Sequence, residues 1–315
     1  MRYFIGIDLG GTNIAAGVVS EEGQLICKTS IPTGAHRPAE AIVADMARAA
    51  QLCLADSGLE KSQIEALGVG VPGAINDDTG IVLFTANLDW RSLPLARMLR
   101  EQLGLPVHLG NDADCAALGE ALVGGAKDFD SVLMITLGTG IGGGLVSHRK
   151  LFTGWSGVGI EPGHFTLVAG GVQCGCGNRG CFEAYASATA LIRQTREAMI
   201  THPGCAIWKF ADSVEQVNAK TVFDAAATGD SIAQSVVDQY EEYLAAGIGG
   251  IVNLFRPHAV ILGGGVSNQG ENLLVPLREK LKKYCYASEF IAPPQVVKAT
   301  LGNDAGIIGA ALLSL

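Results

Sequence analysis

Three cysteines fall within eight residues in the stretch CGCGNRGC, at Cys174, Cys176 and Cys181, with glycine filling much of the rest. A disulfide uses two thiols and a closed structural zinc site uses four ligands, so the cluster stands one ligand short of a tetrahedral set. Six histidines in the chain are available to complete it. The cluster contains no Cys-x-x-Cys pair, which places a dithiol redox role behind a metal site. The plainer alternative is three reduced thiols in a glycine loop.

A second chemistry is suggested by glycine turns. DLGGTN (8–13) offers backbone amides that can approach an anion with no Cβ in the way, and successive amides of this kind form a nest for phosphate oxygens. Asp8 adds a carboxylate able to organise a hydrated Mg²⁺, and Thr12 and Asn13 add hydroxyl and amide groups. LGTGIGGG (137–144) repeats the arrangement with Thr136 in the place of Asp8, and LGGG (262–265) supplies a third glycine turn. Either turn alone reads as a tight hairpin; the set together reads as a phosphate cradle. Neither the Walker A motif nor the dinucleotide fingerprint fits, because no Gly-Lys-Ser/Thr occurs and each of the first two turns leads into a strand.

The third candidate is GND (110–112). Asn111 and Asp112 lie where a strand gives way to a helix, a position where both residue types serve as caps. The functional reading makes Asp112 a general base for a hydroxyl nucleophile, held ionised by the helix N-terminal amides.

These residues need elements to position them. Runs at 3–9 and 14–19 read as strands around the first glycine turn, followed by a helix near 37–56 with Pro38 at its start. A buried strand spans 66–73, a helix 92–103, a strand 106–110 and a helix 111–122. IGIDLGGTNIAAGVV (5–19) aligns with LMITLGTGIGGGLVS (133–147), and AVILGGG (259–265), after a long helix at 231–255, occupies the place of ALGVGVPG (66–73). Two matched pairs in the same order predict a duplicated α/β architecture of two lobes around a cleft. The expected division is a lobe of residues 1–118, with the final helix at 303–315 packing back on it, and a larger lobe of 119–302.

Composition narrows the function classes. The chain has 315 residues, is 48% hydrophobic and carries a net charge of -9, with no Lys/Arg block, which argues against a nucleic-acid face. Apolar runs break well before the ~20 residues of a membrane span. Eight cysteines without secretory features predict reduced thiols and a cytoplasmic protein.

Taken in order, DLGGTN, GVGVPG, ND, LGTGIGGG, EPGH, CGCGNRGCFE and ILGGG resemble the ROK family of sugar kinases and related repressors, from about residue 3 to the C-terminus. The resemblance implies the duplicated actin-like ATPase (ribonuclease H-like) fold. It implies that Asp8, Gly10, Gly11, Thr12, Asn13, Gly138, Thr139 and Gly140 hold ATP phosphates with Mg²⁺, and that Gly264 and Gly265 border adenosine. Gly73, Asn87, Asn111, Asp112, Glu161, His164 and Glu183 are implied in sugar binding, with Asp112 as catalytic base. It also implies His164 as the fourth ligand, beside Cys174, Cys176 and Cys181, of a structural Zn²⁺. The implied activity is ATP-dependent phosphorylation of a hexose, glucose first, with fructose, mannose or N-acetylhexosamine as alternatives and a homo-oligomer, dimer or tetramer, as the assembly. A non-catalytic sugar sensor or repressor is the alternative of a different class. Two features depart from the family pattern: Ile160 and Pro162 in IEPGH, and Asp89 where glycine is common in NLDW. Loss of the metal is expected to harm sugar binding and to spare nucleotide binding at the distant glycine turns.

Overall fold

The computed structural model describes residues 1–85, 87–155 and 158–315. Strands β1 (Tyr3–Leu9) and β2 (Asn13–Ser20) form a hairpin around the first glycine turn, and β3 (Leu25–Pro32) pairs with β2. Helix α1 (Ala39–Ser57) starts after Pro38, whose fixed φ suits a helix entry, and stops at Gly58 in the left-handed conformation. Strand β4 (Ile64–Val71) leads into three short strands, β5 (Ala74–Asn76), β6 (Ile81–Phe84) and β7 (Arg91–Leu93). Helix α2 (Leu95–Leu103), strand β8 (Val107–Asn111) and helix α3 (Asp112–Leu122) follow. The helix expected from residue 92 begins three residues later, because Arg91 pairs with Phe84 in the small sheet and Pro94 forms the helix boundary.

The second half opens with β9 (Val132–Leu137), β10 (Ile141–Ser147) and β11 (Lys150–Leu151). After the cysteine loop come α4 (Glu183–Ala186), α5 (Ala188–Thr201), α6 (Thr221–Ala226) and the long α7 (Ser231–Phe255). Strand β12 (Ala259–Gly263), helix α8 (Glu271–Leu281), strand β13 (Gln295–Lys298) and helix α9 (Ala305–Ala311) complete the chain.

One five-stranded sheet has the order β3-β2-β1-β4-β8 and the other β11-β10-β9-β12-β13. Writing β9, β10, β11, β12 and β13 for β1, β2, β3, β4 and β8 converts one order into the other, which is the duplication expected from the repeated motifs. The chain forms two compact units, Met1–Leu133 with Gly144–Ile160 and Ala299–Leu315, and Met134–Gly143 with Glu161–Lys298. The boundary expected between 118 and 119 falls inside α3, which lies whole in the first unit.

Helix α9 seals one face of the first sheet. Gly6 and Gly68 are direct neighbours on the parallel strands β1 and β4. A methyl group built on Gly6 would overlap the Ile307 carbonyl oxygen, and one on Gly68 that of Ala310. The helix backbone therefore lies directly on the sheet backbone, with Ile307, Ile308, Ala311 and Leu312 buried beside Phe4, Val19 and Ala66. The buried Glu120 of α3 secures the approach to α9, accepting from the amides of Thr300 (2.8 Å), Leu301 (2.7 Å) and Gly125 (2.8 Å).

Gly68→Ala sets a side chain against helix backbone that has no rotamer to change. We expect a loss of about 3 kcal/mol, at the upper end of ordinary overpacking costs, read as a lowered urea midpoint with unchanged m-value. A midpoint equal to that of the unsubstituted protein would contradict the close seating of α9.

Candidate active site

In the first unit, strand register delivers the candidate residues to one end of the sheet. Asp8 of β1 lies beside Gly70 of β4, and Gly70 beside Gly110 of β8, all three strands running parallel. The C-terminal ends of parallel strands are where α/β folds gather ligand-binding groups. Just beyond Asp8, the turn is closed by the Gly10 amide donating to the Asn13 carbonyl (2.9 Å) and braced by Thr33, whose hydroxyl donates to the Gly10 carbonyl (2.7 Å). Gly11, Thr12 and Asn13 are exposed, and a methyl group on Gly11 would meet nothing within 4 Å, so the turn presents open backbone.

At the end of β8, Asn111 is the N-cap of α3. Its side-chain oxygen accepts from the amides of Ala113 (2.9 Å) and Asp114 (3.3 Å), while its Nδ2 donates to the Gly73 carbonyl (3.1 Å). Asn111 and Gly73, both expected in sugar binding, are thus joined directly. Asn87 sits exposed in the β6–β7 connection.

Asp112 is the first residue of α3, and its Oδ1 accepts from the Ala113 amide at 2.9 Å. The helix amides were expected to favour the ionised carboxylate, and its backbone hydrogen bonds do lower the pKa, but desolvation by burial is the larger effect and the net shift is upward. Asp8 is affected in the same sense. Burial, then the neighbouring charge of Asp112, pushes its pKa up to about 6. The first turn of α9 contributes to that burial, since a methyl group on Gly306 would contact the Asp8 carboxylate. A carboxylate whose ionisation a neighbouring carboxylate disfavours, beside an open glycine turn, suits a divalent cation bound by oxygen donors.

In the second unit, the turn at 138–140 is closed by the Gly138 amide donating to the Gly140 carbonyl (3.0 Å). Thr136, the counterpart of Asp8, turns its hydroxyl inward to accept from the Gly142 amide (3.2 Å). Gly264, at φ 80°, lies against the backbone of Leu137, so the third glycine turn adjoins the second. Gly265 is exposed beside it.

The cysteine loop also meets its expected partner. One ligand atom from each of His164, Cys174, Cys176 and Cys181 lies within 4.8 Å of the others. Cys176 Sγ is 3.6 Å from Cys181 Sγ, and Cys174 Sγ is 3.8 Å from His164 Nδ1. Zinc–sulfur bonds of about 2.3 Å in a tetrahedron separate the sulfurs by about 3.8 Å, so this set fits a zinc-sized ion. Among the described residues it is the one group of this kind. The same loop carries the sugar candidates of this unit. The His164 amide donates to the Glu161 carbonyl (3.1 Å), and the Glu183 amide to the Gly163 carbonyl (2.9 Å).

One contact escaped the motif reading. Glu183 Oε2 accepts from the Ile141 amide at 2.9 Å, at the end of the second glycine turn, while its Oε1 lies 3.5 Å from Cys174 Sγ. The second glycine turn is therefore not distant from the cysteine loop, as the sequence had led us to expect it to be. The two partners stand 42 residues apart, and only tertiary structure joins them.

The ROK family model matches residues 4–315, and the chain belongs to the ROK family. It is 42% identical over 308 residues to a glucokinase of Thermotoga maritima, covering 98% of this chain and 95% of that relative. Among solved structures, a ROK family glucokinase from Streptomyces griseus in complex with glucose and AMPPNP is 39% identical, with 98% of each chain covered and a TM-score of 0.79. A ROK hexokinase from Thermus thermophilus is 36% identical, with coverage of 99% and 97% and a TM-score of 0.83. The duplicated sheets are accordingly those of the actin-like ATPase fold.

The raised pKa of Asp8 makes a stability prediction. From an ordinary value of 3.8 to about 6, the folded state binds its proton more tightly than the unfolded state. The stabilisation is fully present below about pH 4 and is lost as pH rises through about 6. Asp8→Asn does not titrate, so its stability relative to the unsubstituted protein should rise across this window by up to about 3 kcal/mol. Parallel urea titrations at pH 4, 5, 6 and 7 without ligand check this; a constant difference would contradict it.

Proposed function

We propose that this protein is an ATP-dependent hexose kinase that transfers the γ-phosphoryl group to a sugar hydroxyl, with glucose, at O6, as its best acceptor. The observation that carries the reading is Asp112, a half-buried carboxylate at the C-terminal end of the parallel strands, in a chain alignable almost end to end with glucokinases. In this reading the amides of Gly11 and Thr12 and of Thr139 and Gly140 receive the phosphates, while Gly10 and Gly138 close the two turns and leave room for the phosphate oxygens. Gly264 and Gly265 border the nucleoside. Gly73, Asn87, Asn111, Glu161, His164 and Glu183 hold the sugar hydroxyls.

The sugar hydroxyl attacks the γ-phosphorus in line, its oxygen–phosphorus bond forms as the bond to the β-phosphate oxygen breaks, and Asp112 accepts the hydroxyl proton. Phosphoryl transfer depends chiefly on positioning and charge stabilisation, with little covalent work left to the protein. Mg²⁺ held near Asp8, with Asn13 beside the turn, would supply neutralisation of the phosphate charge. Zn²⁺ held by His164, Cys174, Cys176 and Cys181 would supply rigidity to the loops bearing Glu161 and Glu183, and its donor set leaves no open position for chemistry.

The proposed assembly is a homo-oligomer, dimer or tetramer. Leu254, Tyr286 and Phe290 support it, standing 78%, 73% and 88% exposed at the end of α7 and after α8. A cytoplasmic location accords with eight free thiols, and no helix among the described residues is long and apolar enough to cross a membrane.

Asp112→Asn can still hydrogen-bond a sugar hydroxyl and cannot take its proton. Turnover should fall by about 10²–10⁴ while glucose affinity, measured by calorimetry, stays within a few-fold. Retention of more than about a tenth of the original kcat would remove Asp112 from the role of base. A coupled ADP-release assay across hexoses should rank glucose first on kcat/KM; faster use of fructose, mannose or N-acetylhexosamine at sub-saturating concentration would reassign the acceptor. Purified protein should carry one zinc per chain, and Cys181→Ser should lose it.

A further inference from the structure

The chain that leaves the cysteine cluster runs directly behind the second phosphate turn. Three hydrogen bonds converge there within four residues. The Ala188 amide donates to the Gly138 carbonyl (2.9 Å), the Thr189 hydroxyl to the Thr139 carbonyl (2.7 Å), and the Ile141 amide to Glu183 Oε2 (2.9 Å). The turn's own closure is a single bond, from the Gly138 amide to the Gly140 carbonyl.

In a trans peptide the C=O and N–H vectors point in opposite directions. Fixing the Gly138 carbonyl on Ala188 therefore aims the Thr139 amide to the other side, and fixing the Thr139 carbonyl on Thr189 does the same for the Gly140 amide. These are two of the donors a phosphate group would use. At its other end the segment begins at Cys181, a member of the four-residue cluster, and Glu183 lies against Cys174.

We propose that the segment Cys181–Thr189 is a strut that orients the phosphate-binding amides of the second glycine turn, so that filling the His164/Cys174/Cys176/Cys181 site tightens nucleotide binding. Glu183 and Thr189 act in it as positioning residues. The proposal rests on the reading of 138–140 as a nucleotide turn and of the cluster as a metal site. Its consequence is that the ion serves the nucleotide half of the reaction as well as the sugar half.

The test measures binding of Mg²⁺ and a non-hydrolysable ATP analogue by calorimetry, without sugar and without turnover. Thr189 is exposed and outside the metal cluster, so Thr189→Val removes one hydroxyl from the strut and leaves the ion in place. Loss of a hydrogen bond of ordinary strength should weaken analogue binding by about 3- to 10-fold, with zinc content and glucose affinity unchanged and Thr189→Ser restoring the affinity. Chelator-stripped protein that keeps its far-UV circular dichroism should bind the analogue at least as weakly as Thr189→Val. If stripping unfolds the chain, the Thr189 pair decides alone.

Gly138→Ala separates this proposal from the reading beneath it. The added methyl would meet only the Gly140 carbonyl oxygen, at 3.9 Å, so it obstructs an arriving phosphate and little else. Unchanged analogue affinity in Gly138→Ala would overturn the nucleotide-turn reading and the strut with it. Weakened binding in Gly138→Ala with unchanged binding in Thr189→Val, or in folded stripped protein, would overturn the strut and leave the reading intact.

Discussion

The contact between α9 and the paired glycines Gly6 and Gly68 is the constraint on which the first unit depends. Without Cβ atoms at these positions the helix backbone rests on the sheet, and its first turn reaches the Asp8 carboxylate two residues further along β1. The same helix packs on α3, where Gly309 fits against the Cys115 carbonyl and Gly119 against that of Ala305. Helix α3 begins with Asp112. One close-packed helix thus covers the Asp8 carboxylate and braces the helix that begins with Asp112. A larger residue at the contact would lift α9, admit water to Asp8 and lower a pKa that burial holds up.

Burial also explains the limits of motif reading at Asp112. A helix N-terminus favours an anion, and the sequence shows that much. It does not show how much low-dielectric material surrounds the carboxylate, because the covering atoms come from distant strands and helices. Here desolvation exceeds the backbone hydrogen bonds, and the direction of the shift reverses. Such a group holds its proton less loosely than an ordinary aspartate, which suits acceptance of a proton from a hydroxyl near neutrality.

Much of the rest was legible because local physics wrote it into short segments. Glycine turns between strand patterns gave both hairpins, and Asn111 gave the cap that it forms. The repeated motifs foretold two sheets of one topology. The metal cluster was legible as three cysteines wanting a ligand, with family resemblance supplying His164. The start of α2 was misread because Arg91–Leu93 carries no signal that it will pair with β6. Glu183 illustrates the deeper limit. Family resemblance implied a sugar contact for it, yet its bond to Ile141 depends on two segments meeting in space.

Among the differences between the duplicated hairpins, Asp8 against Thr136 exchanges a carboxylate for a hydroxyl. In this chain one copy keeps a carboxylate, and the other has a hydroxyl committed to its own strand pair through Gly142. Symmetry in the backbone survives while symmetry in charge is gone. The two hairpins therefore offer unlike surroundings, one a carboxylate whose pKa burial raises, the other a hydroxyl already taken up by a backbone amide. One strand order used twice thus carries two chemically different turns.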